Sequence, residues 1–97
     1  MNKTNDIFLN MLPVLDLHGY TKDEARVATN DFILENKLQG KYEVIIIHGI
    51  GKGIVKNSVK QTLDKNNLVL EHNIMSSNIG CTIVKIKHWQ SNIYVLE

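Results

Sequence analysis

The hydrophobic positions of this chain fall into short runs and longer periodic segments, which together predict alternating strands and helices. Residues 43–47 end in the β-branched run Val-Ile-Ile-Ile, which is typical of a strand buried on both faces. An earlier run, residues 14–18, predicts a first strand that Gly19 ends. Residues 68–75 and 81–87 predict two later strands, and the polar turn between them favours a hairpin.

Two segments have the period of an amphipathic helix. Thr21 is followed three residues later by Glu24, which is a capping box, so a helix should begin at about Thr21. This helix should continue to Leu38 and be closed by Gly40, and a second helix should span residues 54–66. The apolar residues expected to face the sheet are Ala25, Ala28, Phe32 and Ile33 in the first helix and Val55, Val59 and Leu63 in the second.

The element order β-α-β-α-β-β predicts an α/β fold, a two-layer sandwich with a mixed four-stranded sheet and two helices. The first two strands should be parallel, because a right-handed helical crossover joins them. We expect the domain over residues 13–88, with an N-terminal arm over 1–12 and a C-terminal tail over 89–97. A second apolar stripe on the first helix needs cover from an arm or a partner chain, and oligomeric state stays open; it consists of Val27, Leu34 and Leu38.

Composition limits the classes of protein that this chain can belong to. Its 97 residues allow one domain of modest core, and the net charge is only +1. Residues 1–40 carry a net −2 and residues 41–97 a net +3, so a nucleic-acid surface should lie in the second half. The single Cys81 excludes an internal disulfide and fits a reducing, cytoplasmic location. No apolar run approaches the ~20 residues of a membrane span, so no membrane partner is expected.

The most informative stretch follows the central strand and reads His-Gly-Ile-Gly-Lys-Gly over residues 48–53. Its glycines at alternate positions allow positive φ angles and a close approach by another group. Since a helix pattern begins at Ile54, backbone N–H groups and the positive end of a helix dipole should converge here. The loop matches neither a P-loop nor a dinucleotide-binding fingerprint, but it suits a phosphate.

Polar side chains at the end of the first strand should lie beside this loop. Asp16 and His18 precede Gly19, and His48 ends the neighbouring parallel strand. Ligands of open α/β sheets bind at the carboxyl ends of such strands. Three lysines spaced by four residues add a basic stripe along which a nucleic-acid backbone could lie: Lys52, Lys56 and Lys60.

Three short motifs in this sequence resemble those of the Smr (small MutS-related) domain family. They are Leu-Asp-Leu-His-Gly at residues 15–19, His-Gly-Ile-Gly-Lys-Gly at 48–53 and Ser-Asn-Ile-Gly-Cys-Thr at 77–82. The third departs from the family's Gly-Gly-x-Gly-x-Thr pattern, because it lacks the paired glycines. The resemblance spans residues 15–87, and without an ATPase or mismatch-recognition domain the chain resembles a stand-alone member.

The resemblance implies a fold like the C-terminal domain of bacterial translation initiation factor three. It also implies binding to DNA or RNA and, as in several members, nicking endonuclease or endoribonuclease activity. The family motifs put functional weight on five residues of this chain: Asp16, His18, His48, Gly49 and Gly51.

Phosphodiester cleavage needs a base, an acid and positive charge on the phosphate. His18 and His48 can share the first two roles, and Lys52 with the N–H groups up to Gly53 can supply the third. Asp16 can orient an imidazole or hold a divalent cation, Mg²⁺ or Mn²⁺. A site with a single carboxylate slightly favours RNA as the substrate. The 2′-OH of RNA supplies a nucleophile without a metal, whereas water must attack DNA.

Two other classes of function stay open. The domain can be a module that binds RNA or DNA without chemistry, for example on the ribosome. It can also be an interaction module whose loop holds a small phosphate ligand or nothing. Asp16 can simply bond to backbone N–H groups of its own turn, and Lys56 and Lys60 can be an ordinary solvated helix face. His72 and His88 have no partners at suggestive spacing and are expected on the surface, while Cys81 should be a small core residue.

Overall fold

The computed structural model describes residues 11–89 and contains the six elements in the expected order. Most of the expected N-terminal arm and C-terminal tail lies outside the described residues. The elements are β1 (Val14–Asp16), α1 (Lys22–Leu38), β2 (Glu43–Ile47), α2 (Ile54–Lys65), β3 (Val69–Ile74) and β4 (Cys81–Ile86).

The strands form a four-stranded sheet in the order β1-β2-β4-β3. β1 and β2 are parallel, and β4 is antiparallel to both β2 and β3, so the sheet is mixed and the last two strands form the expected hairpin. Three strands therefore end, and β4 begins, at the same edge of the sheet. We call this edge the rim; it contains the segments 16–19, 48–53 and 75–82.

Both helices pack on one face of the sheet and bury a single apolar core. Of the four α1 residues expected to face the sheet, Ala25 and Ile33 are fully buried, and Ala28 and Phe32 are partly buried against the core. Ile45 points away from this core and is still only 8% exposed, so the central strand is buried on both faces, as its sequence predicts. The core cluster consists of Leu17, Ala25, Ile33, Val44, Ile46, Val59, Leu63, Val84 and Ile86.

The prediction of a first strand over residues 14–18 is wrong at its end, because β1 ends at Asp16. The Asp16 Oδ1 atom accepts a hydrogen bond from the His18 N–H at 3.0 Å, which turns the chain out of the strand. The Leu17 N–H still donates to the Ile47 carbonyl at 2.9 Å, so the segment stays beside β2. The Asp16 side chain therefore has the local bonding role that was one of its two interpretations.

The helix boundaries agree with the sequence signals. Thr21 is the N-cap of α1, and a complete capping box joins it to Glu24. α2 begins at Ile54 as expected and ends at Lys65, one residue before the predicted end, because Asn66 is its C-cap.

The edge of the sheet opposite the rim contains both ends of the described chain. Met11, Leu12 and His88 line one cavity there, and the His88 ring stacks on Tyr42 with ring centroids 3.9 Å apart. His88 is exposed, as expected, and its partner in the structure is the Tyr42 ring. Lys37 is buried; its Nζ atom donates to the Lys87 carbonyl and lies 4.4 Å from the centre of the Trp89 ring.

The outer stripe of α1 stays exposed in this structure. Val27, Leu34 and Leu38 are 49%, 47% and 65% exposed. That an arm or a partner chain covers them stays a prediction. Within residues 11–89, neither helix has the length and apolar character needed to cross a membrane.

Candidate functional site

The glycine loop is joined directly to the turn between β3 and β4. The N–H groups of His48 and Gly49 both donate to the Gly80 carbonyl, each at 2.9 Å. A Cβ at position 80 would lie 3.3 Å from Asn78 Oδ1 and 3.4 Å from the Gly49 Cα atom, so the turn and the loop are in van der Waals contact here. The second and third sequence motifs therefore form one structural unit at the rim.

Both ring nitrogens of His48 are occupied. Nδ1 lies 2.9 Å from the Gly49 carbonyl, which can only accept, so Nδ1 carries a proton. In the neutral ring Nε2 then accepts a hydrogen bond from the Thr82 hydroxyl, at 2.8 Å. The imidazole thus braces the loop against β4 and has no free nitrogen for a substrate in this arrangement.

Asp16, the last residue of β1, lies at the same rim but on the other face of the sheet. Asp16 is in register with Ile47, which pairs with Cys81, and this row points away from the helices. His48 instead bonds to Thr82, which is in register with the core residue Ile46. Asp16 and His18 are exposed, and within residues 11–89 no hydrogen bond joins either of them to His48. The sequence motifs thus converge on one edge, but from two faces.

The start of α2 is open to an anion. Its N-cap Gly53 has φ +81° and no side chain to cap the helix, and the first turn contains no acidic residue. Within the described chain, the N–H groups of Ile50, Gly51 and Lys52 also have no backbone acceptor. Lys52 is exposed beside them. Unsatisfied donors, a helix dipole and a lysine therefore meet at one point, as phosphate binding requires.

The expected stripe of three lysines is not continuous, and that prediction needs correction. Lys52 precedes α2, which begins only at Ile54, so the lysine lies in the loop and not on the helix. Lys56 is half-buried, and the Lys60 Nζ atom bonds to Asp64 Oδ2 at 3.0 Å. Of the three, Lys52 is the one that combines exposure with a place beside the open helix start.

Asp64 also binds His72, whose Nε2 atom lies 2.7 Å from Asp64 Oδ1. The surface position expected for His72 is only partly met, because its side chain is 19% exposed and bonded to Asp64. The hydrogen bond from His72 and then that from Lys60 lower the pKa of the Asp64 carboxyl below its ordinary value. This cluster joins α2 to β3 away from the rim.

The sequence analysis did not identify Gly80 and Thr82 as residues of the site. In the structure both bond directly to the loop, through the Gly80 carbonyl and the Thr82 hydroxyl. The signal was present, because both residues belong to the third motif at 77–82. The residues that replace its paired glycines fit without strain: among residues 11–89 no residue other than glycine has a positive φ. Asn78 Oδ1 accepts from the Gly80 N–H at 3.0 Å, so this side chain supports the turn.

The residues at the rim do not fit a resident divalent cation. Asp16 supplies one carboxylate, and one of its oxygens already accepts the His18 N–H. In the described part of the chain, no three His, Cys, Asp or Glu side chains are grouped to hold a metal. Cys81 is buried, as expected of a core residue, and burial raises the pKa of its thiol.

Comparison with known proteins agrees with this architecture. The sequence model of the Smr domain family matches residues 15–87. The Smr domain of Thermus thermophilus MutS2 superposes with a TM-score of 0.75 at 22% identity, covering 78% of this chain and 99% of that one. YdaL of Escherichia coli, a stand-alone small MutS-related protein, superposes with a TM-score of 0.72 at 24% identity, covering 76% of this chain and 63% of that one.

Curated relatives are similar over the same region. The proteins called Endonuclease MutS2 from Streptococcus suis and Staphylococcus saprophyticus are 36% and 38% identical to this chain over 76 residues, 75% of its length. The matched region is only 10% of each of those proteins. The fold and the three motifs define a two-layer α/β domain with a glycine-loop rim. The chain belongs to the Smr domain family.

Proposed function

We propose that this domain binds DNA or RNA through the rim and holds a backbone phosphate at the loop of residues 48–53. The open start of α2 beside Lys52 is the observation that carries this proposal, because it offers several unsatisfied donors and one positive charge to an anion. Gly49, Gly51 and Gly53 keep the backbone accessible, while Lys56 and Lys60 are secondary contacts. The kinship with the MutS2 endonucleases supports a polynucleotide as the ligand.

We further propose that the domain cleaves phosphodiester bonds weakly. His18 is the better candidate for acid and base work, since its side chain is exposed at the rim. His48 acts mainly by fixing the loop through its bonds to Gly49 and Thr82. Asp16 fixes the turn that presents His18. The relatives' name supports this activity, although they share only a tenth of their length with this chain.

The donor set favours RNA as the cleaved substrate. The 2′-OH of RNA supplies an internal nucleophile: His18 takes its proton as the 2′-oxygen bonds to phosphorus, the bond from phosphorus to the 5′-oxygen breaks, and water protonates that oxygen, all without a metal. Water attacking DNA gains far more from a divalent cation, and the rim offers one partly occupied carboxylate to hold it. Cleavage of RNA should therefore persist in EDTA.

A non-catalytic binding module is the second candidate function. It is favoured by the His48 ring, both of whose nitrogens are used inside the domain. Such a module would hold RNA or DNA, including RNA of the ribosome, through the same loop.

A gel-shift panel of single-stranded, duplex and branched DNA and RNA, scored for both shift and cleavage, separates these functions. His18→Ala should reduce cleavage at least ~100-fold with affinity kept, since acid–base groups contribute about 10² to 10⁴ in rate. His88→Ala, on the opposite edge, is the matched control and should leave both unchanged. Binding without cleavage by the wild type supports the module.

Loss of all RNA cleavage in EDTA would contradict the metal-free reaction. No shift with any polynucleotide at low salt, where phosphate contacts are strongest, would leave the third class, an interaction module that holds a small phosphate ligand or nothing.

A further inference from the structure

A groove of about 520 Å³ lies on the solvent side of the helical layer, between α1 and α2. Three basic side chains line it, Lys22, Arg26 and Lys65, against one acidic side chain, Asp23. The amide groups of Asn57, Gln61 and Asn30 add uncharged donors. The groove is thus cationic and polar in a domain whose overall net charge is only +1.

The single acid of the groove neutralises little of this charge. Asp23 Oδ1 lies 4.0 Å from the Arg26 Nη2 atom, and both side chains are more than half exposed. Ion pairs of this kind contribute little in water and are readily exchanged for another anion. Lys22 and Lys65 have no carboxylate within 4.0 Å among residues 11–89.

The groove is continuous with the rim. Ile54 and Lys22, the first residues of the two helices, line its upper end, and the Ser58 hydroxyl donates to the Lys22 carbonyl there at 2.7 Å. Near the other end, Asn66 Nδ2 donates to Asn30 Oδ1 at 2.9 Å, so the helices run side by side in the same direction. From Ile54 to Lys65 the groove follows α2 for about 17 Å, at 1.5 Å per residue.

We propose that this groove extends the nucleic-acid surface of the rim. A strand whose phosphate is held at the loop of residues 48–53 continues along the groove, with Lys22, Arg26 and Lys65 against its phosphates and the amides against phosphate and sugar oxygens. The inference rests on the proposed binding function and deepens it. Charge balance along the sequence points to the second half of the chain alone, but the fold adds Lys22 and Arg26 from the first half.

The test compares two double variants that remove the same charge. Arg26→Gln with Lys65→Gln alters the groove, and Lys41→Gln with Lys87→Gln alters the opposite edge of the sheet. Fluorescence anisotropy measures the affinity of each for four- and twelve-nucleotide single strands of RNA and DNA over a salt series. Thermal unfolding confirms that each variant is folded.

The groove variant should bind the twelve-nucleotide strand about tenfold more weakly, and its salt slope should fall by about 1.4, the value for two lost contacts to a single strand. The four-nucleotide strand, held at the loop, should bind as it does to the wild type. The control variant should match the wild type with both strands.

Asp23→Asn tests the same surface with the opposite sign, because it removes the one negative charge of the groove. It should strengthen binding of the long strand severalfold. Equal affinity and salt slope for the groove variant and the control variant would overturn the proposal while leaving binding at the rim intact. Absence of any binding by the wild type at low salt would overturn the rim function, and the groove proposal with it.

Discussion

The two helices begin at the same rim, but side chains cap the first turn of α1 and leave that of α2 uncapped. At the start of α1, the Thr21 side chain accepts from the Glu24 N–H at 3.1 Å, and Glu24 Oε1 accepts from the Thr21 N–H at 3.0 Å. At the start of α2, Gly53 offers no side chain, and no acidic residue stands in the first turn.

This difference separates a structural helix end from a binding one. Every helix N-terminus has N–H groups without intrahelical partners and a partial positive charge. In α1 the Thr21 side chain satisfies one of those groups, the Glu24 N–H, whereas in α2 no side chain caps the helix start. On the proposed function, the missing cap decides which helix start holds the phosphate, since both helices begin at the same edge of the sheet.

Charge reversal at Lys52 should have the largest effect on the comparison. Lys52→Glu replaces attraction by repulsion next to the open helix start, and we expect at least tenfold weaker binding of any polynucleotide. The same carboxylate lies near the N-terminus of α2, where a negative charge stabilises a helix by about 0.3–1 kcal/mol. Affinity should fall while the melting temperature stays level or rises.

Lys41→Glu, on the opposite edge, is the control for this experiment, with binding measured by anisotropy and unfolding by circular dichroism. Equal losses of affinity from both reversals would mean that Lys52 acts only through overall charge.

Glycine replacement should sharpen the comparison. Gly53→Ala and Gly40→Ala each force alanine into a left-handed conformation, at φ +81° and +75°, with no other atom within 4 Å of the new Cβ. Each should cost roughly 1–2 kcal/mol of folding stability. Only Gly53→Ala should also weaken binding, because it lies in the loop.

Urea denaturation and anisotropy measure the two quantities in parallel. If Gly40→Ala weakened binding as much as Gly53→Ala, the loss would come from general destabilisation and not from the loop.

Removal of the α1 cap should have a smaller effect, confined to stability. Thr21→Ala leaves the Glu24 N–H without its side-chain acceptor and should cost about 1 kcal/mol of unfolding free energy. Polynucleotide affinity should not change, since that helix start is already satisfied within the domain. A clear loss of affinity for this variant at full folding would show that both helix starts bind the ligand.

The smallest expected effect concerns the cluster of Lys60, Asp64 and His72, which lies away from the rim. Folding lowers the pKa of Asp64 from its ordinary 3.8, so its stabilising effect is present above that pH and disappears as the pH falls through the lowered value. Asp64→Asn should therefore lower stability slightly at neutral pH and flatten its loss in acid. Melting temperatures between about pH 6 and 3 measure this slope, with Asp31→Asn as the control.

The fold could be predicted from the sequence because its signals are local. The β-branched run of β2, the capping box of Thr21 and the glycine at position 40 each specify structure within a few residues. β1 was predicted too long because the hydrophobic pattern continues to Leu17, while the turn is set by a side-chain bond from Asp16 that periodicity does not reveal.

The sequence predicted which edge of the sheet the motifs share, but not the contacts that their side chains make there. The motifs indicate that residues 16–18 and 48–53 meet at one rim, but not that Asp16 and His48 lie on opposite faces of the sheet. The bonds from His48 to Thr82 and from Asp64 to His72 join residues 34 and 8 positions apart, and strand register decides the first of them. Such pairings depend on tertiary structure, which spacing along the chain does not encode.

The two ends of the described chain, Met11 and Trp89, leave the sheet at the edge opposite the rim. Attachment at Met11 or Trp89 therefore adds bulk away from the loop of residues 48–53. A fluorophore, an immobilising tether or a fused domain can be placed there with the loop still facing open solvent. The same geometry lets this fold be joined to a much larger polypeptide while the rim stays exposed to solvent.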